Sequence, residues 1–505
     1  MSETPIQTPA IADLIDWLRG VAPAARELRL DSRKVEAGDV FVAVPGFKSD
    51  GRDFIARAIE RGAVAVLAEG ELDSLKGLMT VPVLEVPELK SCLGRLAAAF
   101  YGEPSSGLLS VAVTGTNGKT SCSQWIAQLL SRASRRCAVI GTVGSGLAGE
   151  TLSQATLTTP DPISLQAEVR RLRDAGAVAL AMELSSIGLE QGRAAGMKYD
   201  IALFTNLTRD HLDYHGDMAA YEAAKAILFD WPGLAHAVIN GDDEAGRRLA
   251  DRALARGVAT TVTTLEGRGA PAGAHRLAAR EVATTPQGLA FTIDWNGRSQ
   301  RVAVNLVGSF NVANLLGVLG VALAAGVDFD LACSQLPRLP PPPGRMQQLA
   351  APDAPLAVVD YAHTPDAVVQ ATAALRPLAA ARGGQLWVVL GAGGDRDPGK
   401  RATMGAAAAS GADVVVITSD NPRTEDPVRI IEHVAAGAPG ARCIVDRAAA
   451  IAAAIGEASA NDVVLIAGKG HEDYQDIAGS KTHFSDVEQA RGAQLARAQE
   501  GKTCG

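Results

Sequence analysis

The stretch LLSVAVTGTNGKT, residues 108–120, decides the fold of this chain. Its first six residues are nearly all apolar, which predicts a buried strand over 108–113. The strand leads into the loop Gly115-Thr116-Asn117-Gly118-Lys119-Thr120, and residues 121–130 then have the pattern of a helix. A strand, a glycine-rich loop and a helix in this order form the setting of a phosphate-binding loop. We therefore expect a nucleotide's phosphates to bind at this loop.

The residue types in this loop suit phosphate chemistry. Backbone N–H groups at the start of the helix face the anion, Lys119 adds a positive charge, and the hydroxyl of Thr120 can bind Mg²⁺. The general pattern GxxxxGK[ST] has a glycine where this chain has Val113, and a GKT tripeptide alone can arise by chance. The flanking strand and helix are what favour nucleotide binding. Because motors, switches, kinases and ligases share such loops, the rest of the chain must decide how the phosphate is used.

The bulk composition is typical of an ordinary soluble protein. At roughly 150 residues per domain, a chain of 505 residues predicts about three domains. The 48 basic and 56 acidic residues give a net charge of −8, which argues against non-specific binding to nucleic acid or to an anionic membrane. The first twenty residues do not resemble a secretory signal, and the six cysteines have no metal-type spacing. We therefore expect a cytoplasmic protein with reduced cysteines.

Two turn-rich breaks divide the chain. They are YGEPSSG at 101–107 and LPPPPG at 339–344, and they predict domains over 1–104, 105–340 and 341–505. Between the breaks and on both sides of them, short apolar runs alternate with helical patterns. This alternation predicts an α/β fold with mostly parallel sheets. The runs predicted as strands besides 108–113 are 39–44, 63–67, 177–182, 201–205, 237–240, 387–391, 414–419 and 463–467.

Short motifs run from the phosphate loop almost to the C-terminus. They are GTNGKT (115–120), ELSS (183–186), TNLTRDHLD (205–213), GSFNVAN (308–314), GRM (344–346), DYAHTPD (360–366), GDRD (394–397) and GKGHE (468–472). In their order and spread, these motifs resemble those of the Mur ligases of peptidoglycan synthesis. The resemblance implies an N-terminal domain for a uridine nucleotide, a central ATPase domain, and a C-terminal Rossmann-like domain for an incoming amino acid. These three domains agree with the boundaries predicted from the breaks.

The resemblance also implies a reaction. A carboxylate attacks the γ-phosphate of ATP, and an amine then opens the resulting acyl phosphate to form an amide. The implied substrates are UDP-N-acetylmuramoyl-L-alanyl-D-glutamate and meso-diaminopimelate, and the implied cofactors are ATP and Mg²⁺. We expect a monomer without a nucleic-acid partner and without membrane insertion.

Two side chains are candidates for metal contacts. Glu183 follows the predicted strand 177–182, at the end of a strand where α/β sheets place functional residues, and the resemblance implies that it shares Mg²⁺ with Thr120. The alternative for Glu183 is a solvated loop carboxylate. The resemblance selects His211 as a contact of a second metal ion. The neighbouring Asp210 and Asp213 could instead cap the helix that follows.

Lys225 has an unusual setting. It lies four residues after Tyr221 and three before Leu228, so it shares a helix face with apolar groups. Such a lysine normally extends its ammonium to solvent. Desolvation would instead favour the neutral amine, which is the form that takes up CO₂ as a carbamate. The resemblance implies this modification of Lys225, with the carbamate as a metal ligand.

Four further residues are candidates for ATP contacts. Asn311 and Asn314 lie three residues apart at a predicted helix start, and their amides can pair with the donor and acceptor of the adenine edge. Capping of the helix by Asn311 is the alternative. The resemblance implies that Arg345 and Asp360 contact ATP as the domains close.

The resemblance assigns ten residues to the nucleotide-sugar substrate. Those for the uridine part are Leu30, Ser32, Phe47, Lys48 and Ser49, and those for the muramoyl-dipeptide are Thr158, Thr159, Ser185, Gln191 and Arg193. One position departs from the family pattern. After the two serines 185–186 the family commonly has histidine, whereas this chain has Ile187. The detailed contacts of that turn are therefore left open.

The amino-acid site is predicted at Asp420-Asn421-Pro422-Arg423, after the strand 414–419. Diaminopimelate carries a second carboxylate that lysine lacks, and a planar guanidinium can bind it through two hydrogen bonds. The resemblance adds Arg396, Gly468 and Glu472, with Glu472 pairing with the distal ammonium. In lysine-adding relatives the arginine of this motif is typically absent. A surface turn with a solvated arginine is the alternative.

Other functions are also compatible with parts of this sequence. The same ligation with L-lysine is the nearest alternative, and folylpolyglutamate synthetase shares the ATPase core but does not explain the DNPR motif. A phosphate-loop switch or nucleotide-binding protein is the alternative from a different class. Such a protein would hydrolyse ATP slowly without consuming an amine.

Overall fold

A computed structural model describes residues 10–46, 49–70, 80–154, 157–265 and 267–503. The chain forms two compact units. One comprises Met1–Val262, Ala270–His275 and Gly320–Val327, and the other comprises Thr263–Gly269, Arg276–Leu319 and Asp328–Gly505.

The first unit begins with a four-stranded parallel sheet in the order β1-β2-β3-β4. Alternate residues of β2 point to opposite faces, and both faces are covered. Val40 and Val42 pack in one apolar cluster with Leu96 of α3, whereas Phe41 packs in another with Ile55 of α2. This burial on both faces is why the run 63–67 is apolar throughout and the run 39–44 is apolar after Asp39. The elements are α1 (Ile11–Val21), β1 (Leu28–Arg29), β2 (Val40–Ala43), α2 (Ile55–Glu60), β3 (Ala65–Glu69), β4 (Val83–Val86) and α3 (Leu89–Phe100).

The phosphate loop belongs to a second, mostly parallel sheet in the first unit. Its strands β10, β9, β5, β8 and β6 are parallel neighbours in that order, and β7 is antiparallel to β6. The central strand β5 is buried on both sides, as its sequence predicts. The elements are β5 (Leu109–Thr114), α4 (Lys119–Arg132), β6 (Cys137–Gly141), β7 (Gly144–Leu147), α5 (Pro162–Asp174), β8 (Ala179–Glu183), α6 (Ser186–Glu190), β9 (Ile201–Phe204), α7 (Leu212–His215), α8 (Met218–Ala226), β10 (His236–Asn240), α9 (Glu244–Ala255) and β11 (Ala259–Thr264).

Three antiparallel strands follow that the sequence reading did not include. They are β12 (His275–Thr285), β13 (Gly288–Trp295) and β14 (Arg298–Val304), each paired with its neighbour in sequence. The β13–β14 hairpin turns at Asn296 and Gly297, whose φ angles of 47° and 78° are left-handed. Asn-Gly is the residue pair that favours this kind of two-residue hairpin turn. The dipeptide was therefore the signal that could have predicted the hairpin.

The second unit ends in a six-stranded sheet in the order β15-β16-β20-β17-β18-β19. All of its strands are parallel except β15, and helices cover its faces, which is a Rossmann-like arrangement. The predicted strand at 463–467 is observed with the same bounds. The elements are α10 (Ser309–Ala324), α11 (Phe329–Gln335), β15 (Gln347–Leu349), β16 (Leu356–Asp360), α12 (Pro365–Arg382), β17 (Leu386–Leu390), α13 (Gly399–Gly411), β18 (Val414–Ile417), α14 (Pro427–Ala435), β19 (Arg442–Cys443), α15 (Arg447–Glu457), β20 (Val463–Ala467), β21 (Tyr474–Ile477), β22 (Ser480–His483) and α16 (Asp486–Thr503).

Short 3₁₀ helices connect several of these elements. They are Ser32–Lys34, Gly51–Phe54, Pro104–Gly107, Ile227–Asp230 and Leu336–Arg338. Among the helices of the described residues, none is both long enough and apolar enough to cross a membrane. The α/β class with mostly parallel sheets is confirmed.

Candidate functional site

The phosphate loop connects β5 to α4, as its sequence predicts. Gly115 and Gly118 have φ angles of 147° and 85°, and a Cβ on Gly115 would lie 1.9 Å from the hydroxyl of Thr205. The loop therefore needs glycine at Gly115 on both conformational and steric grounds. The Nζ atom of Lys119 donates to the carbonyl oxygens of Gly115 and Thr116, each at 2.8 Å. These contacts hold the ammonium at the loop, where it can meet an anion.

A buried carboxylate lies beside the start of α4. Glu183, the last residue of β8, is only 1% exposed, so the alternative of a solvated loop carboxylate is wrong. The hydroxyl of Thr120 donates to its Oε2 at 3.0 Å. Thr142 donates to the same carboxylate twice, through its backbone N–H at 2.9 Å and its hydroxyl at 3.1 Å. The three side chains form a compact set of oxygen atoms next to the phosphate loop.

Tyr221 on α8 is the centre of a second group. Its ring centroid lies 6.1 Å from that of His211 and 5.0 Å from that of His215, and the Nζ of Lys225 lies 4.3 Å from it. The Tyr221 hydroxyl is 3.2 Å from the hydroxyl of Thr116 in the phosphate loop. The structure thus brings the predicted residues His211 and Lys225 to one aromatic ring that also contacts the loop.

Lys225 is 1% exposed, so the alternative of an ammonium extended to solvent is wrong. Burial lowers the pKa of its amine well below the ordinary value, and the nearby charge of Lys119 lowers that pKa further. Asp210 acts in the opposite direction but does not restore it. A buried lysine with such a lowered pKa spends more of its time as the neutral amine.

The capping alternatives for Asp213 and Asn311 are also wrong, whereas Asp210 accepts from the backbone N–H of His211 at 2.8 Å. The N-cap position of α7 is His211, whose side chain makes no capping hydrogen bond, and Asp213 lies inside that short helix. Asp217 caps α8 by accepting from the N–H of Ala220 at 2.8 Å. Asn311 lies inside α10, where its amide donates to the carbonyl of Val307 at 2.7 Å. Its amide oxygen accepts from Asn314 at 3.4 Å, so the two asparagines are in contact.

The five residues predicted for the muramoyl-dipeptide lie close together. The hydroxyl of Thr159 is 3.2 Å from that of Ser185, and Arg193 donates to the carbonyl of Thr159 at 3.0 Å. Arg193 also makes two hydrogen bonds to the amide oxygen of Gln191, at 3.0 and 2.7 Å. The hydroxyl of Thr158 is 3.1 Å from the hydroxyl of Thr142, and so this group borders Glu183.

A histidine that is distant in sequence supports the turn that contains Ile187. Ile187 is half-buried on α6, next to Ser186. The Nε2 of His215 is 2.9 Å from the hydroxyl of Ser186, and its Nδ1 is 3.1 Å from the carboxylate of Glu190. His215 therefore holds both ends of α6, and burial lowers its pKa. An imidazole therefore contacts this turn, but it belongs to His215 of α7 and not to the residue at position 187.

The predicted uridine contacts follow two neighbouring parallel strands. Leu30 and Ser32 come after β1, and Ser49 belongs to the turn after β2. The carboxyl ends of parallel strands meet at one edge of a sheet, so these residues share an edge. Phe47 and Lys48 lie outside the described residues.

The remaining candidates lie at one edge of the six-stranded sheet in the second unit. Asp360 ends β16, and its carbonyl accepts from the N–H of Gly468, which follows β20, at 3.1 Å. The Asp360 carboxylate accepts from the N–H groups of Met346 and Ala362 at 2.8 and 3.0 Å, and burial raises its pKa. The guanidinium carbon of Arg345 lies 5.1 Å from the Tyr361 ring centroid, and its Nε has no hydrogen-bond partner within the described residues.

Asn421 and Glu472 are joined across this edge. The amide of Asn421 donates to Glu472 Oε2 at 2.8 Å. Lys469, fully buried, donates to the Asn421 oxygen at 2.9 Å and lies 3.4 and 3.5 Å from the carboxylates of Glu472 and Asp420. Pro422 is buried at this edge, and Gly468 lies close to the Asp420 carboxylate. The structure brings the DNPR and GKGHE motifs together.

The two arginines predicted for the amino-acid site belong to adjacent loops. Arg396 is exposed in the loop after β17, and Arg423 lies in the loop after β18. The Nη1 of Arg423 donates to the carbonyl of Gly394 at 2.5 Å, so it is anchored rather than freely solvated. The alternative of a surface turn with a solvated arginine is therefore wrong.

Three site residues were not predicted from the sequence: Thr142, Tyr221 and Lys469. Thr142 directly follows the parallel strand β6, at the same end of the sheet as Glu183, the last residue of β8. Tyr221 was noted only for its spacing from Lys225, and Lys469 lies inside a motif already quoted. In the described residues no group of three or more His, Cys, Asp or Glu side chains has the geometry of a metal site.

Three segments of the chain match domain families of one type. Residues 25–101 match "Mur ligase family, catalytic domain", residues 113–322 match "Mur ligase middle domain", and residues 344–470 match "Mur ligase, glutamate ligase domain".

Curated relatives match over nearly their whole length. The UDP-N-acetylmuramoyl-L-alanyl-D-glutamate--2,6-diaminopimelate ligase of Janthinobacterium sp. is 48% identical, with 98% of this chain and 99% of the relative covered. The protein of the same name from Ralstonia nicotianae is 51% identical, with 96% of each chain covered. A solved structure of a ligase of that name is 38% identical, covers 94% of this chain and 95% of its own, and has a TM-score of 0.68. With about half its residues identical to such relatives along their full length, this chain belongs to the Mur ligase family.

Proposed function

We propose that this chain is an ATP-dependent ligase that adds meso-diaminopimelate to UDP-N-acetylmuramoyl-L-alanyl-D-glutamate in peptidoglycan precursor synthesis. The observation that carries the proposal is the buried Thr120–Glu183 contact beside the phosphate loop, in a chain about half identical to ligases of that name. It acts, by this proposal, as a monomer in the cytoplasm, where ATP and nucleotide-sugars are available. Its domains are 1–104, 105–340 and 341–505.

The chemistry proceeds in two displacements. An oxygen of the D-glutamate carboxylate attacks the γ-phosphorus of ATP, the bond to the β-phosphate oxygen breaks, and ADP leaves. The diaminopimelate amine then attacks the acyl carbon, phosphate leaves, and the amine gives up a proton. Because the first step brings two anions together, it depends on positive charge and oriented N–H groups at the phosphates. Lys119 and the start of α4 supply both.

The residues around the loop fit a nucleotide with Mg²⁺. Mg²⁺ prefers oxygen ligands and is commonly held by one or two carboxylates together with substrate phosphates. Glu183 and Thr120 supply such oxygens, and Thr142 fixes the orientation of the carboxylate. A bound Mg²⁺ would neutralise charge on the phosphates. We also assign Asn311, Asn314, Arg345 and Asp360 to ATP, on the strength of the motif resemblance.

His211 and Lys225 are proposed as contacts of a second metal ion, with Lys225 as its carbamate. The amine attacks CO₂ and loses one proton, which gives the lysine an anionic oxygen pair. The buried position and the lowered pKa of Lys225 support this, because only a neutral amine can react with CO₂. His211 is exposed and faces the same Tyr221 ring.

The substrate-binding residues are proposed from the motifs and their observed clustering. The muramoyl-dipeptide is assigned to the group around Thr159 and Arg193, which borders Glu183 through Thr158 and Thr142. The uridine part is assigned to the turns after β1 and β2. Diaminopimelate is assigned to Arg396, Gly468, Glu472 and 420–423, with Arg396 and Arg423 for its second carboxylate and Glu472 for its distal ammonium.

The test is release of phosphate from ATP by the purified chain. We expect release to require both the UDP-muramoyl-dipeptide and an amino acid, with meso-diaminopimelate strongly preferred to L-lysine. Mass analysis of the nucleotide-sugar product should show the addition of one diaminopimelate. Equal release with ATP alone would indicate a nucleotide switch, and a preference for lysine would indicate the alternative ligase.

A further inference from the structure

The loops that carry Arg396 and Arg423 follow neighbouring parallel strands. Strands β17 and β18 pair in parallel register, so their following loops leave the same edge of the sheet. The N–H of Gly394 donates to the carbonyl of Asn421 at 2.9 Å, and Arg423 donates back to the carbonyl of Gly394. A Cβ on Gly394 would lie 1.9 Å from the carbonyl oxygen of Pro422. The two loops are therefore in close backbone contact.

A partly buried ion pair crosses behind these loops. Arg401 on α13 donates to Glu425 through Nη2 and Nη1, at 2.8 and 3.0 Å, and Arg401 is only 1% exposed. The pair also contacts the loop that follows β17. The N–H of Asp395 donates to the Glu425 carboxylate at 2.5 Å, and Arg401 donates to the carbonyl of Gly393 at 3.4 Å. On α14, the Nδ1 of His433 lies 3.2 Å from Arg401. We call this set of contacts the Arg401–Glu425 brace.

The brace holds backbone in unfavourable conformations. Asp395 and Arg423 have φ angles of 52° and 51°, which is the left-handed region that residues other than glycine rarely adopt. The hydroxyl of Thr424 donates to the Asp395 carboxylate at 2.6 Å and adds a further cross-link. Such conformations persist only where surrounding contacts over-determine them, and they are found disproportionately at binding sites.

The charge state of the brace is fixed near neutral pH. Hydrogen bonds from Arg401, and then from the N–H of Asp395, lower the pKa of Glu425 to about 2. Glu425 is therefore ionised under any ordinary assay condition. Removing its charge would leave the buried guanidinium of Arg401 without a counter-charge, and a buried charge that loses its partner makes its neighbours rearrange.

We propose that Arg401 and Glu425 are positioning residues that set the spacing of Arg396 and Arg423 and so give the site its preference for an amino acid with a second carboxylate. This rests on the proposed function. Neither residue touches the substrate; each acts through the two loops it joins. Two guanidiniums can bind one carboxylate strongly only if their separation is held, since the hydrogen bonds are directional.

Glu425→Gln tests this with little change of shape. We expect the KM for meso-diaminopimelate to rise by about tenfold to a hundredfold, as misplacement of binding groups does. The kcat/KM preference for meso-diaminopimelate over L-lysine should fall by a similar factor. The KM values for ATP and for the nucleotide-sugar should stay within about twofold, because the phosphate loop is untouched. Arg401→Lys, which keeps the charge but not the paired hydrogen bonds, should give an intermediate effect.

Asp413→Asn is the matched control. Asp413 accepts from Arg376 of α12 at 2.6 Å, and its side chain is 36% exposed against 35% for Glu425. It precedes β18, at the opposite edge from the loops, so its loss should leave the amino-acid preference unchanged.

Equal changes in the KM of all three substrates, or an unchanged diaminopimelate-to-lysine ratio in folded Glu425→Gln, would overturn the proposal. If that variant does not fold, Arg401→Lys decides in the same assay. A wild-type chain that uses neither amino acid would instead refute the proposed function.

Discussion

Lys225 combines burial, an aromatic neighbour and a nearby positive charge. Its Nζ lies 4.3 Å from the Tyr221 ring centroid, and its side chain is almost fully enclosed. If the neutral amine carries a carbamate, then the side chain contributes an anion where the unmodified residue would contribute none. Its removal should therefore be repairable by an anion supplied from solution.

Lys225→Ala should lower kcat by about a hundredfold to a thousandfold, as loss of a charge-stabilising group does. Added formate or acetate should restore part of the activity, because a short carboxylate can occupy the vacated space. Lys481→Ala is the control, since Lys481 also lies over a tyrosine ring, at 4.1 Å from the Tyr474 centroid, but is exposed. Steady-state phosphate release measures both. Full activity of Lys225→Ala, or the absence of rescue, would contradict the carbamate.

Residues could be predicted from the sequence where the chemistry is local or where a motif marks them. The four-residue spacing of Tyr221 and Lys225 predicted a shared face, and the pair is in contact. The partners of Glu183 could not be predicted in the same way, because Thr142 precedes it by 41 residues. No local sequence pattern indicates that Thr142 pairs with Glu183. It arises only when parallel strands bring their carboxyl ends together.

At the scale of elements, buried parallel strands were the most predictable feature. Apolar runs such as 463–467 are continuous because both faces of the strand are covered, which distinguishes them from the surrounding helices. The antiparallel strands β12 and β14 have exposed faces and a mixed polar pattern, so they lack that signal. A similar limit applies to α7, a single turn whose preceding N-cap residue, His211, has a left-handed backbone.

Two glycines in helices should respond in opposite ways to replacement by alanine. A Cβ on Gly94 in α3 would lie 2.1 Å from the carbonyl oxygen of Ala195, so the helix must shift, and we expect a loss of about 1–3 kcal/mol in stability. Gly20 in α1 has nothing within 4 Å of its Cβ position. Gly20→Ala should therefore stabilise by about 0.5–1 kcal/mol through helix propensity. Thermal unfolding midpoints of the two variants test this. A Gly94→Ala midpoint equal to that of the unsubstituted chain would contradict the expected clash with Ala195.

For the whole molecule, the site depends on connections that join distant parts of one sheet. The residues of the amino-acid site come from three strand ends, in β17, β18 and β20, and they share an edge because these strands are parallel. The sequence motifs identified most of these residues. The Arg401–Glu425 brace was not identified, because its members lie 24 residues apart and neither carries a recognisable motif.

Stability of the whole chain should fall on acidification, and the direction follows from two kinds of group. Arginine hydrogen bonds lower the pKa of Glu222 and Asp230, and burial lowers the pKa of three histidines, His215, His236 and His471. In each case the unfolded chain binds the proton first, below about pH 6.5 for histidine and about pH 4 for the carboxylates, so the stabilising contribution is lost as pH falls. The raised pKa values of Asp360 and His483 oppose this, but these groups are fewer. We therefore expect the thermal unfolding midpoint to drop between pH 7 and pH 5.5. In His236→Gln the midpoint should drop less over the same range. A midpoint that is highest near pH 5 would contradict the destabilising role of these histidines at low pH.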